Sequence, residues 1–358
     1  MPPPPRPKKK PTHASAEQVQ ARCRGALLGL AVGDALGVTN AGRNVMAPPF
    51  PELADGPQTE MLGRGPASLR AGQVSWPAEM AFCLSTALRN HRGFDVVETA
   101  KTYARWLPDG LDVPESVLNP LELVREGRSG AFTGRHAWLE SAQRVCDGAA
   151  LARVAPVAVY FHANPTELVR ASLEDTAITH FAPSCQLASA IFTGVLASAI
   201  DSPDDALEHE AAMKALEAQR TLAAATLGRS QPDWVAQVHD AALELRGDLL
   251  AARDDDPMLY GPDLHLFQRQ TVRVALRLAL WELFHAPGFE AGVLDAINRG
   301  GQASLNGAVT GALLGAVFGD AAIPERWVER VMEAPGFQGG PHFSVYHPRF
   351  LVTLEPHD

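Results

Sequence analysis

The stretch Arg24-Gly25-Ala26-Leu27-Leu28-Gly29-Leu30-Ala31-Val32-Gly33-Asp34-Ala35-Leu36-Gly37 constrains this chain more than any other. It is apolar on every face, so as a helix it belongs in the middle of a core and not on a surface. Gly25, Gly29 and Gly33 fall four residues apart and therefore stack along one side of that helix. Each glycine disfavours a helix by roughly 1 kcal/mol against alanine, so close packing or function has to compensate. A second stretch near the other end repeats the pattern: Gly311-Ala312-Leu313-Leu314-Gly315-Ala316-Val317-Phe318-Gly319-Asp320. Two such segments predict two central helices packed against each other, closing one domain. Asp34 then stands at the end of an oily helix, where an unpaired charge is costly.

The chain has 358 residues, 46% of them apolar, which is enough for one large domain or two modest ones. A net charge of −10 argues against a nucleic-acid partner. Cys23, Cys83, Cys146 and Cys185 form no CxxC pair, so they read as reduced, buried thiols of a cytoplasmic protein. Residues 1–15 begin with a Pro/Lys-rich tail that cannot pack a core and is expected to be disordered. Two long uncharged runs, Ala182 to Ile200 and Gly300 to Gly319, approach the length of a membrane span. Both carry several Ser, Thr, Asn or Gln residues, so they read as buried helices and no membrane is expected.

Proline, glycine and apolar spacing predict an all-α, compact multi-helix orthogonal bundle over residues 16–335, with an irregular tail from 336 to 358. Helices are expected over about 16–36, 77–90, 95–106, 113–126, 136–146 and 165–178 (with Thr166 as N-cap). Others follow at Pro183 onward, 203–226, 231–252 and 265–285, the last with Leu266, Val274, Leu278 and Trp281 facing inward. Residues 38–73 read as a long loop of the kind that covers a cleft. Asp254-Asp255-Asp256 reads as a solvated turn more readily than as a cation site.

These segments together resemble the ADP-ribosylglycohydrolase family, of the dinitrogenase-reductase-activating type, over roughly residues 20 to 333. Gly25 to Gly37 is similar to the family's "GALLGLAVGDALG". Gly72-Gln73-Val74-Ser75-Trp76-Pro77-Ala78-Glu79-Met80-Ala81 stands where the family reads "G-x-W-T-D-D-T-x-M-A". Asp147 to Pro156 is similar to "N-G-A-x-M-R-x-A-P". Gly300 to Gly315 matches "G-x-D-T-D-T-x-A-A-I-A-G-A-L-L-G-A", with Ile323-Pro324-Glu325-Arg326-Trp327 following as "I-P-x-x-W".

The resemblance implies two magnesium ions held by oxygens of the "TDDT" turn, the "DTDT" turn and an aspartate after a Thr-His pair. Magnesium takes hard oxygen ligands and gives up water reluctantly. Paired ions orient sugar hydroxyls and activate water against a glycosidic carbon. This chain departs at nearly every ligand position: Ser75, Trp76 and Pro77 in the first turn, Gln302, Ser304 and Leu305 in the second, and Ala182 after Thr179-His180. Val38 to Gly42 also lacks the acidic residue usual there. No metal or other cofactor is therefore expected.

The candidate ligand-binding residues are Asp34, Ser75, Trp76, Asp147, Gly148, His180, Gly300, Gly301 and Ser304. Asp34 either orients a ligand or is held by local backbone N–H groups. Glu79 and Asp34 are the catalytic candidates; Glu79 is a general base or simply a carboxylate of a helix's first turn. Asp147 touches a ribose or caps a helix, and Arg153 pairs with a phosphate, with Asp147 or in a structural ion pair. His180 lines the cleft or is a satisfied core histidine. Gly300-Gly301 offers free N–H groups to a diphosphate. Trp76 fills the former metal pocket or stacks on a base or ribose. Cys83 and Cys185 read as core.

Three functions remain open at this point. One is a binding or regulatory pseudoenzyme for ADP-ribose-type ligands or an ADP-ribosylated protein. The second is a hydrolase of an ADP-ribosyl N- or O-glycosidic bond with altered or metal-independent chemistry. The third is an interaction protein with a filled cleft.

Overall fold

The computed structural model describes residues 13–43, 56–203, 209–254, 271–334 and 345–357. These residues form an all-α architecture with no strand among them. The chain opens with α1 (Ala16–Gly37), capped by Ser15, whose hydroxyl and backbone N–H exchange bonds with Gln18. Four helices follow: α2 (Trp76–His91), α3 (Val96–Trp106), α4 (Glu115–Arg125) and α5 (Gly130–Glu140). Next are α6 (Ala149–Arg153), α7 (Ala155–Phe161), α8 (Pro165–Thr179) and α9 (Pro183–Asp201). Then come α10 (His209–Ser230), α11 (Val235–Arg253), α12 (Val272–His285) and α13 (Phe289–Asn298). The described chain ends with α14 (Ala303–Phe318), α15 (Glu325–Met332) and α16 (Pro348–Leu351).

The centre is the antiparallel pair α1 and α14, as the two glycine-rich segments predict. A Cβ on Gly25, Gly29 or Gly33 would run into the backbone carbonyl of Gly315, Gly311 or Gly307 respectively. Gly37 meets the carbonyl of Ala303 in the same way. The two backbones touch because neither helix carries a side chain along this seam. That close approach offsets the poor helix propensity of the glycines, since backbone-to-backbone contact brings many atoms into van der Waals range. It also fixes where Asp34 and Ser304 meet.

The helix α9 is long and apolar enough to cross a membrane, but 89% of its apolar window is buried inside the protein. Cys23, Cys83 and Cys185 are buried free thiols, and Cys146 is partly exposed.

Several boundaries differ from the sequence expectation. The helix expected at 136–146 starts earlier, at Gly130, whose lack of a side chain lets it pack against the Cβ of Ala100. It ends before Ala142 and Gln143, both in the left-handed region. Asn164, not Thr166, caps α8, accepting from the Glu167 N–H at 3.2 Å. The helix expected from 265 is described from Val272; Leu266 and the carboxylates of Asp255 and Asp256 lie outside the described residues, as does the tail through residue 12. In the segment read as an irregular C-terminal tail, α16 forms a short helix, and Leu351 and Leu354 are buried. His357 donates its backbone N–H to the Tyr160 carbonyl at 3.0 Å, tying this end to α7.

Candidate functional site

Asp34, near the end of α1, is fully buried at the point where α1, α14 and the start of α2 converge. Its Oδ2 accepts the backbone N–H groups of Ser75 at 2.8 Å and Ala78 at 3.2 Å. These are orphan donors of the α2 N-terminus, so Asp34 caps that helix from a distant segment of chain. Its Oδ1 accepts the hydroxyls of Ser75 at 2.5 Å and Ser304 at 3.0 Å. The two serine oxygens are themselves 3.2 Å apart. Burial in apolar surroundings nevertheless dominates: it pushes the carboxyl from 3.8 up to about 6, against the opposing pull of Ser75, Ala78 and Ser304. The donors that hold Asp34 belong to another helix, and are not the local groups expected from sequence.

Beside this knot lies a cleft of about 350 Å³, lined by Ser75 and Trp76 from one side and Gly301, Gln302, Ser304 and Leu305 from the other. Val38, Leu69, Val113 and Pro114 complete much of its wall. Trp76 is buried and forms wall, leaving the cleft open. Among the described residues, Asp112 is the acidic residue lining the cleft, and no Lys, Arg or His lines it. The sequence analysis missed Asp112. The only local signal is its place in the loop before Pro114: its φ is 55°, in the left-handed region that aspartate tolerates better than most residues.

Asp147 and His180 do meet, but not at this cleft. His180 is fully buried; its Nε2 lies 3.0 Å from Asp147 Oδ1 and its Nδ1 lies 2.8 Å from Thr179 Oγ1. Asp147 also accepts the Ala149 N–H at 2.9 Å, while Gly148 occupies the cap position of α6. Burial works against the Asp147 charge, but His180 and the Ala149 N–H outweigh it and hold the carboxyl at about 2. Arg153 does not pair with Asp147. It is fully buried in an ion pair with Asp175 at 3.1 Å, and Tyr103 donates to the same carboxylate at 2.7 Å. Arg153 also reaches Thr179 Oγ1 at 2.9 Å, so a continuous polar chain runs from Asp147 through His180 and Thr179 into the core. A buried network whose members are all bonded fixes one packing arrangement.

Other candidates move away from the cleft. Glu79 does stand in the first turn of α2, but buried; it accepts the Trp106 indole N–H at 2.8 Å, is absent from the cleft wall and so is not placed as a base there. Gly300 and Gly301 both have positive φ, as glycine allows. Their N–H groups are already spent on the carbonyls of Ile297 at 3.3 Å and Arg43 at 2.8 Å, so they are not a free anion cradle. Gly148 is buried under Leu305: a Cβ there would stand 3.2 Å from a Leu305 methyl. Ala182 sits at the start of α9, where only its carbonyl is engaged, by Cys185 and Gln186.

The profile described as ADP-ribosylglycohydrolase matches residues 15–345 of this sequence. The chain belongs to the ADP-ribosylglycohydrolase family. It is 25% identical over 328 residues to "ADP-ribosylarginine hydrolase Tri1" of Pseudomonas putida (strain GB-1), covering 88% of this chain and 75% of that protein. It is 27% identical over 321 residues to "ADP-ribosyl-[dinitrogen reductase] glycohydrolase" of Rhodospirillum rubrum, covering 87% of this chain and 91% of that one. Among solved structures, an "ADP-ribosylglycohydrolase-related protein complex" superimposes with a TM-score of 0.65 at 27% identity, covering 94% of this chain and 98% of that chain.

The family's magnesium pair does not suit the donors present. At the family's ligand positions the cleft presents the hydroxyls of Ser75 and Ser304, the Gln302 amide, an indole and a leucine. Both hydroxyls point to Asp34. Among the described residues, no three His, Cys, Asp or Glu side chains converge on one point. Neutral oxygens alone are a poor exchange for magnesium's bound water.

Proposed function

We propose that this chain is a cytoplasmic, ligand-binding pseudoenzyme of the ADP-ribosylglycohydrolase family. It takes an ADP-ribose-type group, free or on a modified protein, without the family's magnesium-dependent hydrolysis. The observation that carries this reading is the Asp34 knot: the hydroxyls left at the old ligand turns are turned inward to a buried carboxyl, and the cleft beside them stays open. Trp76 supplies an aromatic wall for a ribose or base, and Leu305 and Val113 supply apolar surface. Loss of the ion pair removes both the Lewis acid and the activated water, so bond cleavage loses its main source of transition-state stabilisation.

Calorimetry with ADP-ribose on the full chain, with magnesium or with a chelator, tests it. The expected result is equal affinity in both buffers, weakened in Trp76→Ala, with no release of ADP-ribose from a modified protein. Magnesium-stimulated release would overturn the proposal.

One observation favours a second reading, a metal-independent hydrolase: Asp112 places a carboxyl in the cleft wall, and burial raises its proton affinity. Turnover that persists in chelator and disappears in Asp112→Asn would select that reading.

A further inference from the structure

The outer side of α5 presents apolar surface to water. Phe132 is the most exposed large apolar side chain among the described residues, at 66%, and Leu139 is 43% exposed. Their seven-residue spacing puts both on one side of the helix, with Arg135 between them. The side of α5 that carries Gly134 lies directly on α8, where a Cβ would run into the Ala177 carbonyl. The exposed side is therefore a ridge held in place from beneath. Beside it runs a second cleft, of about 380 Å³, bounded by α8 and the α10–α11 turn. Leu173, Leu227 and Trp234 give this cleft apolar walls, and Phe132 forms part of its lip. Trp138 of α5 packs edge-on against Trp234, with ring centroids 5.0 Å apart. Val235, next in the chain, is 51% exposed and extends the apolar surface. Single apolar side chains on a surface need no explanation, but a ridge and a groove side by side mark an interaction site.

The charges decide what fits this face. Arg135 on the ridge and Asp233 on the α10–α11 turn both line the cleft, and both are exposed. Neither has an ion-pair partner among the described residues. Arg170 and Glu174, also in the wall, neutralise each other at 2.7 Å. The face therefore offers one open cation and one open anion. A partner of a single sign would gain at one and be repelled at the other. A second copy of the same face, turned about a two-fold axis, brings its groove and carboxylate to the ridge and guanidinium of the first. The reverse contact forms at the same time, as every contact in such an interface does.

From this geometry we propose that the face is the interface of a two-fold homodimer. Phe132 of each copy enters the second cleft of the other, and Arg135 of each copy pairs with Asp233 of the other. The two clefts share no lining residue, so the first cleft is not lined by the interface.

The test is sedimentation velocity of the full-length protein over a concentration series reaching about 100 µM. The wild type goes from monomer to dimer across the series, and added salt weakens the association because the ion pairs lie at an exposed rim. Phe132→Ser leaves a monomer throughout. Arg135→Asp and Asp233→Arg each weaken dimerisation by roughly tenfold or more, since each single change sets like charges against each other at two places. The double variant carrying both changes restores the dimer, because each pair is re-formed with its signs exchanged. Leu62→Ser, at an exposed apolar residue that lines neither cleft, leaves the association unchanged. Thermal melts of each variant establish that it is folded. A wild type that stays monomeric across the series, a dimer that survives Phe132→Ser, or a double variant no better than the single ones would overturn the assignment.

Discussion

Replacing Asp34 by asparagine is expected to stabilise this protein at neutral and alkaline pH and to do little in acid. The folded protein holds the Asp34 carboxyl at about 6, against 3.8 for an ordinary aspartate. Each pKa unit corresponds to about 1.4 kcal/mol, so ionising Asp34 in its buried site destabilises the fold by about 3 kcal/mol. Below 3.8 the carboxyl is protonated in both the folded and unfolded chain, and no loss occurs. From there to about 6 the folded chain keeps a proton that the unfolded chain has released, so stability falls as pH rises. Above that the loss is complete.

Asparagine fits the same cage. Its oxygen can take the N–H groups of Ser75 and Ala78, and its NH₂ can donate to the hydroxyls of Ser75 and Ser304, which rotate to accept. Urea unfolding of both proteins across the range from about pH 4 to about pH 8 is the assay, with the variant's advantage growing by about 3 kcal/mol and then levelling off. A difference that does not change with pH would refute the reasoning. So would a wild type that gains on the variant as pH rises, because the four donors would then prevail over burial.

Three other outcomes follow from the same geometry. Gly29→Ala drives a methyl group into the Gly311 carbonyl, and urea unfolding should show a loss of about 1–3 kcal/mol; a neutral result would mean that the central helices can slide apart. Asp147→Asn should lose about 2 kcal/mol at neutral pH, because the native carboxyl is held at about 2 and its side chain is 25% exposed. That loss shrinks as pH falls from 3.8 through 2, and a gap persisting in strong acid would contradict it. Trp76→Asp combined with Gln302→Asp puts two carboxylates on the cleft wall, and magnesium should then raise the melting temperature of the double variant but not of the wild type. Equal magnesium response in both proteins would show that charge at these positions is not what decides cation binding.

The glycine spacing made the central pair legible, because a stripe without side chains has few uses other than close helix contact. Proline placed the starts of α2 and α9 and the end of α3 to within a residue or so, since it acts locally on the backbone, whereas the cap of α8 is Asn164 and not the expected Thr166. The start of α5 was not legible: no side chain caps it, and the close contact of Gly130 with Ala100 is made with a different helix. The site divides in the same way. That the ligand turns carry Ser75, Trp76, Gln302 and Ser304 is a matter of sequence. Where Glu79, Gly301 and Arg153 spend their polar groups depends on Trp106, Arg43 and Asp175, which local spacing does not connect to them.

By itself the sequence determined the family, the all-α class and the helices that must lie at the centre, because steric size and helical period are properties of neighbouring residues. Tertiary structure alone decided that Asp34 is caged by Ser75 and Ser304, that His180 serves Asp147 in the core, and that Asp112 faces the cleft. A hydrogen bond is specified by a few tenths of an ångström between groups tens or hundreds of residues apart. Such distances exist only once every helix has been packed.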